Sequence, residues 1–225
     1  MAHLIEYISG SIFKEIYYYS LLLSSIFILF FIKKVQRPSL IISGIVIFSM
    51  LHNWIILGLI LNGVLESNKA VYHFTTFIEF ILFFLFYRNS ITSYYGKLWV
   101  LAGGVIYFAF QLINSFLIQH FSYYNSNGII IEETILVFYA LLFFSEIRQH
   151  VFYDNLFKEG FFWFNTMVLV FNSFQVFIWG FQGFLQTPLW WFDISKILSA
   201  IMYLVFAFAV YLDYLSNLSK SNNAG

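Results

Sequence analysis

Ionisable and hydrogen-bonding side chains interrupt several long apolar stretches of this sequence. Glu79 lies in the middle of one stretch, with Tyr72 and Thr76 on the same face at helical spacing and His73 nearer one end. An ionisable side chain inside a bilayer costs about 2.5 to 3.5 kcal/mol even on lenient insertion scales, so each one is a candidate functional residue by default. A carboxyl group at this position could bind a ligand, exchange a proton or join helices.

Other apolar stretches carry polar residues of the same kinds. Of Glu132 and Glu133, near the start of their stretch, we expect one to face the bundle and the other to extend toward the interface. Lys196 is expected to be neutralised by a carboxylate, with Asp193 as the local candidate and Glu79 or Glu132 as distant ones. The candidates for ligand binding or proton handling are His52, Asn53, Tyr72, His73, Thr76, Glu79, Glu132, Glu133, Asn172, Gln175, Asp193 and Lys196. Further polar residues in these stretches are Ser49, Gln111, Asn114, Ser115, Asn165 and Tyr203.

Each candidate also has a purely structural interpretation. A neutral Glu79 can be buried and hydrogen-bonded to Thr or Tyr within the bundle, since desolvation favours the uncharged form of a carboxyl group. His52 and Asn53 can join helices through hydrogen bonds, as polar residues in membrane bundles often do. Asn172 and Gln175 fit a polar seam between helices as well as a binding wall. The sequence leaves both interpretations open.

No strong catalytic signature accompanies these residues. Paired histidines of the metalloprotease type, a Gly-rich phosphate loop and a nucleophile elbow are all missing. Cysteine is absent, which excludes disulfides, thiolate chemistry and cysteine metal sites. We therefore assign no catalytic residue, no metal site and no cofactor, and we favour a binding role over an enzyme. His52 and Glu79 could act as base and acid if adjacent helices bring them within hydrogen-bond reach.

Membrane-spanning helices must position these residues. Charged residues make up 10% of the chain and hydrophobic residues 61%, whereas a soluble domain carries about a quarter charged residues. The apolar runs are long enough to cross the ~30 Å hydrocarbon core as helices. They lack the alternating polarity of a transmembrane barrel. We predict an all-α, polytopic membrane protein with one transmembrane domain, residues 1–225, and seven helices near residues 16–32, 40–62, 71–87, 98–118, 129–146, 161–185 and 190–213.

The basic residues predict the orientation, because cytoplasmic loops carry an excess of Lys and Arg. One side has Lys14 and Lys69, and the other has Lys33, Lys34, Arg37, Arg88, Lys97, Arg148, Lys158 and Lys220. This places the N-terminus outside and the C-terminus in the cytoplasm of a multi-pass protein of the inner membrane. Most polar candidates then lie at the midplane or in the outer half, above an inner half of Phe, Leu, Ile and Val. We predict a polar cavity that opens outward and is closed beneath by an aromatic floor.

Two segments carry a family resemblance that covers most of the chain. Tyr72-His73-Phe74-Thr75-Thr76-Phe77-Ile78-Glu79-Phe80, followed by Gly160-Phe161-Phe162-Trp163 at the start of the sixth predicted helix, resembles a group of small uncharacterised bacterial seven-helix membrane proteins. That group is similar to the membrane sensor segments of some histidine kinases. The resemblance implies a sensor-like bundle and directs attention to Tyr72, His73 and Glu79, without implying a chemistry.

A second, local resemblance concerns Asp193-Ile194-Ser195-Lys196-Ile197-Leu198, which is similar to the retinal-binding segment of microbial rhodopsins. In that family the aspartate precedes the lysine by four residues and the lysine lies near mid-membrane. Here the gap is three residues and Lys196 lies toward the outer end. The third helix also lacks the arginine and the Asp-Trp pair of that family. We therefore do not expect retinal.

These observations favour a membrane receptor or sensor-like bundle that binds a small ligand, including lipophilic ones, and acts through a cytoplasmic or membrane protein partner. A small-molecule or proton-coupled transporter is the main alternative. An intramembrane lipid-modifying enzyme and an accessory membrane subunit are further alternatives. The expected partners are the lipid bilayer, a small-molecule or lipid ligand and another protein. The 11 Lys and Arg balance the 11 Asp and Glu, which gives no indication of nucleic-acid binding.

Overall fold

The computed structural model describes residues 12–65, 68–121, 123–149, 156–181 and 190–222. Within these ranges the chain is helical with no strand, and seven helices are long and apolar enough to cross a membrane. This confirms the predicted all-α, polytopic fold class. The helices are α1 (Ile12–Phe31), α2 (Arg37–Leu61), α3 (Lys69–Ser90), α4 (Tyr94–Ile113), α5 (Ser126–Gln149), α6 (Gly160–Phe181) and α7 (Trp190–Asn222).

The helix boundaries differ from the predicted spans by several residues in places. α1 begins at Ile12 rather than 16, and α4 begins at Tyr94 rather than 98 and continues as a π-helical turn, Asn114–Ile118. α7 runs to Asn222, beyond the predicted end at 213. Residues 182–185 of the predicted sixth span lie outside the described ranges. Hydropathy identifies the apolar part of a helix, whereas polar turns continue the same helix beyond it.

Local sequence explains the ends of α2. Pro38 lies in its first turn, where a residue without an amide hydrogen leaves no intrahelical bond unmade. Asn62 follows the last helical residue, and its amide donates to the carbonyl of Gly58 at 3.1 Å. Gly63 comes next with a φ of 69°, a left-handed conformation that glycine adopts readily. This turn redirects the chain toward α3.

The start of α4 is held by two sets of hydrogen bonds. The Ser93 hydroxyl accepts a bond of 3.1 Å from the amide of Gly96, which is a side-chain N-cap. The Glu146 carboxylate on α5 accepts bonds from the amides of Thr92 at 2.9 Å and Ser93 at 3.1 Å, and from both hydroxyls. The α3–α4 connection is therefore attached directly to α5.

In the described residues, α1, α2, α3, α5, α6 and α7 surround a central space, and α4 packs outside them against α3 and α5. α1 packs along α7, α7 along α6 and α6 along α5, while α2 and α3 complete the enclosure. α1 and α7 run in the same direction. Aromatic rings of the two helices pair at two places. Tyr17 and Tyr203 pair near the start of α1 (6.1 Å between centroids), and Phe31 and Tyr214 pair at its end (4.9 Å).

Two glycines allow close helix packing. At Gly160 on α6, a Cβ atom would collide with the backbone carbonyl of Ala209 on α7. At Gly103 on α4, a Cβ atom would collide with the ring of Tyr139, whose hydroxyl donates a hydrogen bond of 2.6 Å to the carbonyl of Val100. Small residues serve this purpose in membrane bundles, where close backbone approach increases van der Waals contact.

Successive helices alternate in direction, so the connections lie at two ends of the bundle. The first end holds the start of α1 and the connections α2–α3, α4–α5 and α6–α7; the second end holds the remaining connections and the end of α7. At the second end, the amide of Gln36 donates to Asp213 Oδ2 at 2.8 Å, and Asn217 Nδ2 donates to the carbonyl of Lys34 at 3.2 Å. These bonds attach the α1–α2 connection to α7.

An aromatic layer crosses the bundle between its two ends. It consists of Phe83 and Phe86 on α3, Phe164 on α6 and Phe206 on α7, all of them buried. Phe164 is central, with ring centroids 4.3 Å from Phe86, 4.4 Å from Phe206 and 6.1 Å from Phe83. Aromatic pairs at such distances attract beyond the burial of their area. The layer separates polar residues near the first end from the second end.

Candidate functional site

A cavity of about 500 Å³ lies between the first end of the bundle and the aromatic layer. Among the described residues, its wall includes Glu79, Glu132 and Glu133. The other predicted candidates on the wall are His52, Asn53, Tyr72, Thr76, Asn172, Gln175 and Lys196. The polar residues of α4 were expected to join them but do not. Instead, α1 contributes Lys14, Tyr17 and Tyr18 to the wall.

The depth of the cavity follows from its lining. Lys14 in the first turns of α1 and Trp179 near the end of α6 line it close to the first end, and Phe83 and Met202 line it at its deepest point. Phe83 is part of the aromatic layer, so the cavity ends where that layer begins. The structure thus contains a cavity, lined by polar and apolar side chains, above an aromatic floor.

Aromatic residues surround the cavity at the first end. The Tyr124 ring, in the α4–α5 connection, lies 4.9 Å from the ring of Tyr72 and stacks on Trp179 at 5.4 Å between centroids. Burial raises the pKa of the Tyr124 hydroxyl, and the neighbouring Tyr72 raises it further. The Tyr124 side chain is therefore neutral at physiological pH and contributes hydrogen bonding and ring surface.

A hydrogen bond from α2 orients the carboxyl group of Glu79. The Ser49 hydroxyl donates a hydrogen bond of 3.2 Å to Glu79 Oε1. Asn53 Nδ2 donates to the carbonyl of Ser49 at 2.8 Å, which ties this turn of α2 together. On α3, the Thr76 hydroxyl donates to the carbonyl of Tyr72 at 2.9 Å, so its hydrogen is directed along its own helix. The carboxyl group is thus oriented by one neighbouring helix rather than by a basic residue.

Glu132 and Glu133 both face the cavity. The expectation that one of them extends toward the interface is wrong: Glu132 is 4% exposed, and Oε2 of Glu133 is buried without a hydrogen-bond partner in the described part of the chain. Both interact electrostatically with Glu79, and Glu132 also with Glu133. Adjacent helical residues point about 100° apart. Both side chains can reach a wide cavity, whereas a tightly packed helix pair would have room for only one of them.

Among the described residues, one of the two ring nitrogens of His52 has a hydrogen-bond partner. Its Nε2 lies 2.6 Å from the hydroxyl oxygen of Thr75 on α3, and that hydroxyl donates its hydrogen to the carbonyl of Val71 at 2.9 Å. Nε2 must therefore be the donor, which leaves Nδ1 as an acceptor. Within the described residues Nδ1 is buried and has no partner. His52 and Glu79 share the wall but bond to different residues, so they do not form the acid–base pair considered above.

Asn172 and Gln175 contribute the α6 side of the wall. Gln175 Oε1 accepts a hydrogen bond of 3.1 Å from the Ser195 hydroxyl on α7. Asn172 is 3% exposed, and its Nδ2 is a buried donor with no partner among the described residues. Unpaired buried polar atoms are uncommon and cost roughly 1 to 3 kcal/mol each. The Asn172 amide is therefore a position where a bound molecule or water would add stability.

Lys196 lines the cavity and pairs with Asp193. The two side chains lie 3.0 Å apart and are about equally exposed, 30% and 29%. Of the carboxylates considered for this lysine, the local one is its partner. Asp193 itself is not part of the described wall. The pair brings no net charge to this part of the site.

His73 does not line the cavity. It is 2% exposed, and its ring connects α3 to the end of α4 and the α4–α5 connection. Nε2 lies 3.2 Å from the carbonyl of Tyr123, so it carries the hydrogen, and Nδ1 accepts from the Ser115 hydroxyl at 2.9 Å. Gln111 Nε2 donates to the His73 carbonyl at 3.2 Å. His73, a sequence-based candidate for ligand binding, therefore belongs to a buried network outside the cavity wall.

The polar residues of α4 belong to the same structural network. Asn114 Nδ2 donates to Asn125 Oδ1 at 2.8 Å, and Asn125 Nδ2 donates to the hydroxyl of Thr76 at 2.7 Å. Thr76 therefore links this network to the cavity wall. The buried bonds hold α3, α4 and the start of α5 together, and they explain why α4 carries polar residues at this depth.

Several wall residues were not among the sequence-based candidates. Tyr17 and Tyr18 resemble interfacial aromatic residues, and Thr75 is indistinguishable by type from its neighbour Thr76. Their position on the wall depends on how each helix is rotated, which polarity alone does not reveal. The wall residues outside the candidate set that carry polar atoms are Lys14, Tyr17, Tyr18, Ser49, Thr75, Tyr124, Trp179, Ser195, Ser199 and Tyr203.

Chemically, the wall offers carboxyl groups, an imidazole acceptor, an amide donor and aromatic faces. Among the described residues, no group of three His, Asp or Glu side chains is arranged to hold a metal ion. No protein-family model, curated protein or solved structure matches the chain.

Proposed function

We propose that this chain is a receptor or sensor-like membrane bundle that binds a small ligand in the cavity above the aromatic layer. The observation that carries the proposal is the cavity itself, whose wall includes three residues with a buried polar atom that has no partner in the described structure: Asn172 Nδ2, His52 Nδ1 and Glu133 Oε2. Leaving these atoms unpaired costs free energy. A ligand that pairs with them would regain that free energy.

The dimensions of the cavity support a ligand of modest size. At about 500 Å³ it falls within the range of small-molecule pockets, roughly 300 to 1,000 Å³. An open pore would require polar lining through the whole thickness of the bilayer. Here the aromatic layer, centred on Phe164, blocks the path toward the second end.

We further propose that the first end faces outward and the second end faces the cytoplasm of an inner-membrane protein. Basic residues support this orientation, since positive charge is retained on the cytoplasmic side. The second end carries Lys33, Lys34, Arg37, Arg88, Lys97, Arg148, Lys158 and Lys220, and the first end carries Lys14 and Lys69. The ligand would then enter from outside, and a protein partner would respond at the cytoplasmic end.

A cavity-filling substitution tests the proposal. Ser199 lines the cavity, and its hydroxyl donates within its own helix to the carbonyl of Ser195. Ser199→Phe should fill the space while keeping every carboxyl group. Ser145→Phe is the matched control, because Ser145 on α5 is exposed and lies outside the cavity wall.

The measurement is thermal unfolding of the purified proteins in an uncharged maltoside detergent against a panel of small molecules. A ligand of the cavity should raise the melting temperature of the wild type and of Ser145→Phe, and should leave Ser199→Phe unchanged. The proposal fails if no compound stabilises the wild type, or if stabilisation is the same in Ser199→Phe.

A proton-coupled transporter is the second candidate, and one observation favours it. A second cavity of about 570 Å³ lies at the second end, lined by residues that include Gln36, Asn89, Glu146 and Glu159. Two cavities separated by an aromatic layer suit a carrier that opens to each side in turn. Uptake of a stabilising compound into liposomes, driven by a proton gradient and lost in Glu79→Gln, would select the transporter. Binding without uptake would select the receptor.

A further inference from the structure

The three carboxyl groups on the cavity wall have no basic partner among the described residues. In the described structure, neither a lysine nor an arginine pairs with Glu79, Glu132 or Glu133. Two lysines line the wall: Lys196 is paired with Asp193, and Lys14 lies in the first turns of α1, near the first end. Three mutually repelling carboxyl groups in an apolar bundle cannot all be ionised without a counter-ion. A charge that these groups could stabilise inside the cavity is therefore positive.

The remaining lining suits an organic cation. Rings of Tyr17, Tyr72 and Tyr203 lie on the wall with Phe83 and Phe171. Aromatic faces attract ammonium groups, and a desolvated contact contributes more than an exposed one. A small inorganic ion would leave most of a cavity of about 500 Å³ unfilled. An ammonium group carried on an apolar body fits both the charge and the volume.

The unpaired amide of Asn172 indicates a second chemical group that the ligand must carry. Its buried Nδ2 donates to no described residue, so the group that it bonds must be an acceptor. An ammonium ion has no acceptor of its own. The ligand must therefore carry an oxygen or nitrogen acceptor at some distance from its charged end.

We propose that the cavity binds an organic ammonium compound that also carries a hydrogen-bond acceptor, with the ammonium group among Glu79, Glu132 and Glu133 and the acceptor at Asn172 Nδ2. This inference rests on the proposed function, because it names the ligand class of the same cavity. As the cation enters, a carboxyl O–H bond breaks, the proton leaves to solvent and the carboxylate becomes the counter-ion. Binding is therefore tighter at higher pH.

The test uses two molecules of the same shape. Benzoylcholine carries a quaternary ammonium group and an ester carbonyl, and 3,3-dimethylbutyl benzoate replaces the nitrogen with carbon. Their affinities for the purified full chain in maltoside detergent are measured by calorimetry. Benzoylcholine should bind at least tenfold more tightly than the neutral ester. The combined substitution Glu79→Gln, Glu132→Gln and Glu133→Gln should remove this preference, whereas Glu15→Gln, on α1 outside the cavity wall, should retain it.

Two further variants separate the parts of the proposal. Asn172→Leu should weaken both molecules by a similar factor, because both carry the ester. The affinity of benzoylcholine should rise between pH 5 and 8, while that of the neutral ester should not change. His52→Gln should retain this rise, which assigns it to the carboxyl groups. The other titratable groups that face them are Lys14, Tyr17, Tyr18, His52, Tyr72, Tyr107, Tyr124, Lys196 and Tyr203.

The outcomes are distinguishable from a failure of the proposed function. If both molecules bind equally in the wild type, or if the three glutamine substitutions leave the preference intact, the cation assignment is overturned although the cavity still binds. If neither molecule binds and no other compound distinguishes Ser199→Phe from Ser145→Phe, the proposed function itself is overturned.

Discussion

The Ser49 hydroxyl on α2 donates a hydrogen bond of 3.2 Å to Oε1 of Glu79 on α3. Removing one partner of a buried bond leaves the other unsatisfied, so we expect Ser49→Ala to lower the free energy of unfolding by about 1 to 3 kcal/mol. In a Glu79→Leu background the same substitution should cost less, because no carboxyl group is then left unpaired.

This prediction is checked by unfolding the four proteins of the cycle in mixed micelles. Ser43→Ala is the matched control, because Ser43 is a buried serine of the same helix whose hydroxyl donates, within the described structure, to the carbonyl of Ser39 on that helix. Equal costs of Ser49→Ala in the two backgrounds would show that the bond across the helices contributes no stability.

His73 should act on stability rather than on ligand binding. His73→Ala removes the bonds to Ser115 and to the Tyr123 carbonyl, so we expect a loss of about 2 to 4 kcal/mol, as buried polar partners are left unpaired. The affinity of any cavity ligand should stay within about twofold at temperatures where the variant is folded. His120→Ala, at an exposed histidine of the α4–α5 connection, is the control for unfolding. A selective loss of affinity in His73→Ala would contradict this assignment.

Gly160 and Gly44 should respond oppositely to alanine. A Cβ at Gly160 meets the Ala209 carbonyl, whereas a Cβ at Gly44 meets nothing within 4 Å. Gly160→Ala should force α6 and α7 apart and cost about 1 to 3 kcal/mol. Gly44→Ala should be neutral or stabilise the protein by up to about 1 kcal/mol, because alanine favours helix more than glycine does. Thermal unfolding of the two variants measures this, and equal melting temperatures would be inconsistent with the close contact.

The pair of Lys196 and Asp193 should contribute little to stability. Both side chains are about 30% exposed, and exposed ion pairs contribute roughly 0 to 1 kcal/mol. Replacing both, as Lys196→Met with Asp193→Asn, should shift the free energy of unfolding by no more than this amount. A loss of several kcal/mol on the double substitution, measured in mixed micelles, would instead identify Lys196 as a residue that holds the bundle together.

The orientation is testable because the chain contains no cysteine. Val64, 67% exposed, lies at the first end, and Ser219 is exposed near the end of α7 at the second end. A membrane-impermeant maleimide should label Val64→Cys in intact spheroplasts and Ser219→Cys only after the membrane is opened. The reverse pattern would place the cavity opening on the cytoplasmic side.

The seven helices and a cavity with polar wall residues could be predicted because both depend on the length of apolar segments and on the polarity of single residues within them. Length and apolarity identify a helix that crosses a bilayer, and polar residues there must face protein rather than lipid. The depth of Glu79 and the aromatic floor followed from sequence position and composition alone. The end of α7 could not be predicted, because its polar last turns resemble a loop by hydropathy.

The rotation of each helix could not be predicted. Polar residues on α4 and on the cavity helices look alike in sequence, yet Gln111 and Asn114 bond to the α4–α5 connection whereas Asn172 faces the cavity. The sequence predicts that only one of Glu132 and Glu133 faces the bundle, whereas the structure places both on the cavity wall. Such choices depend on which neighbour each helix packs against.

α7 extends without interruption over 33 residues, which corresponds to about 50 Å at 1.5 Å per residue and exceeds the ~30 Å hydrocarbon core. Ser199 in its first part touches the cavity, and Asp213 in its last part holds the amide of Gln36. A single continuous helix therefore joins the cavity to the second end of the bundle. A tilt of a straight helix of this length by a few degrees about one end would displace the other end by several ångströms.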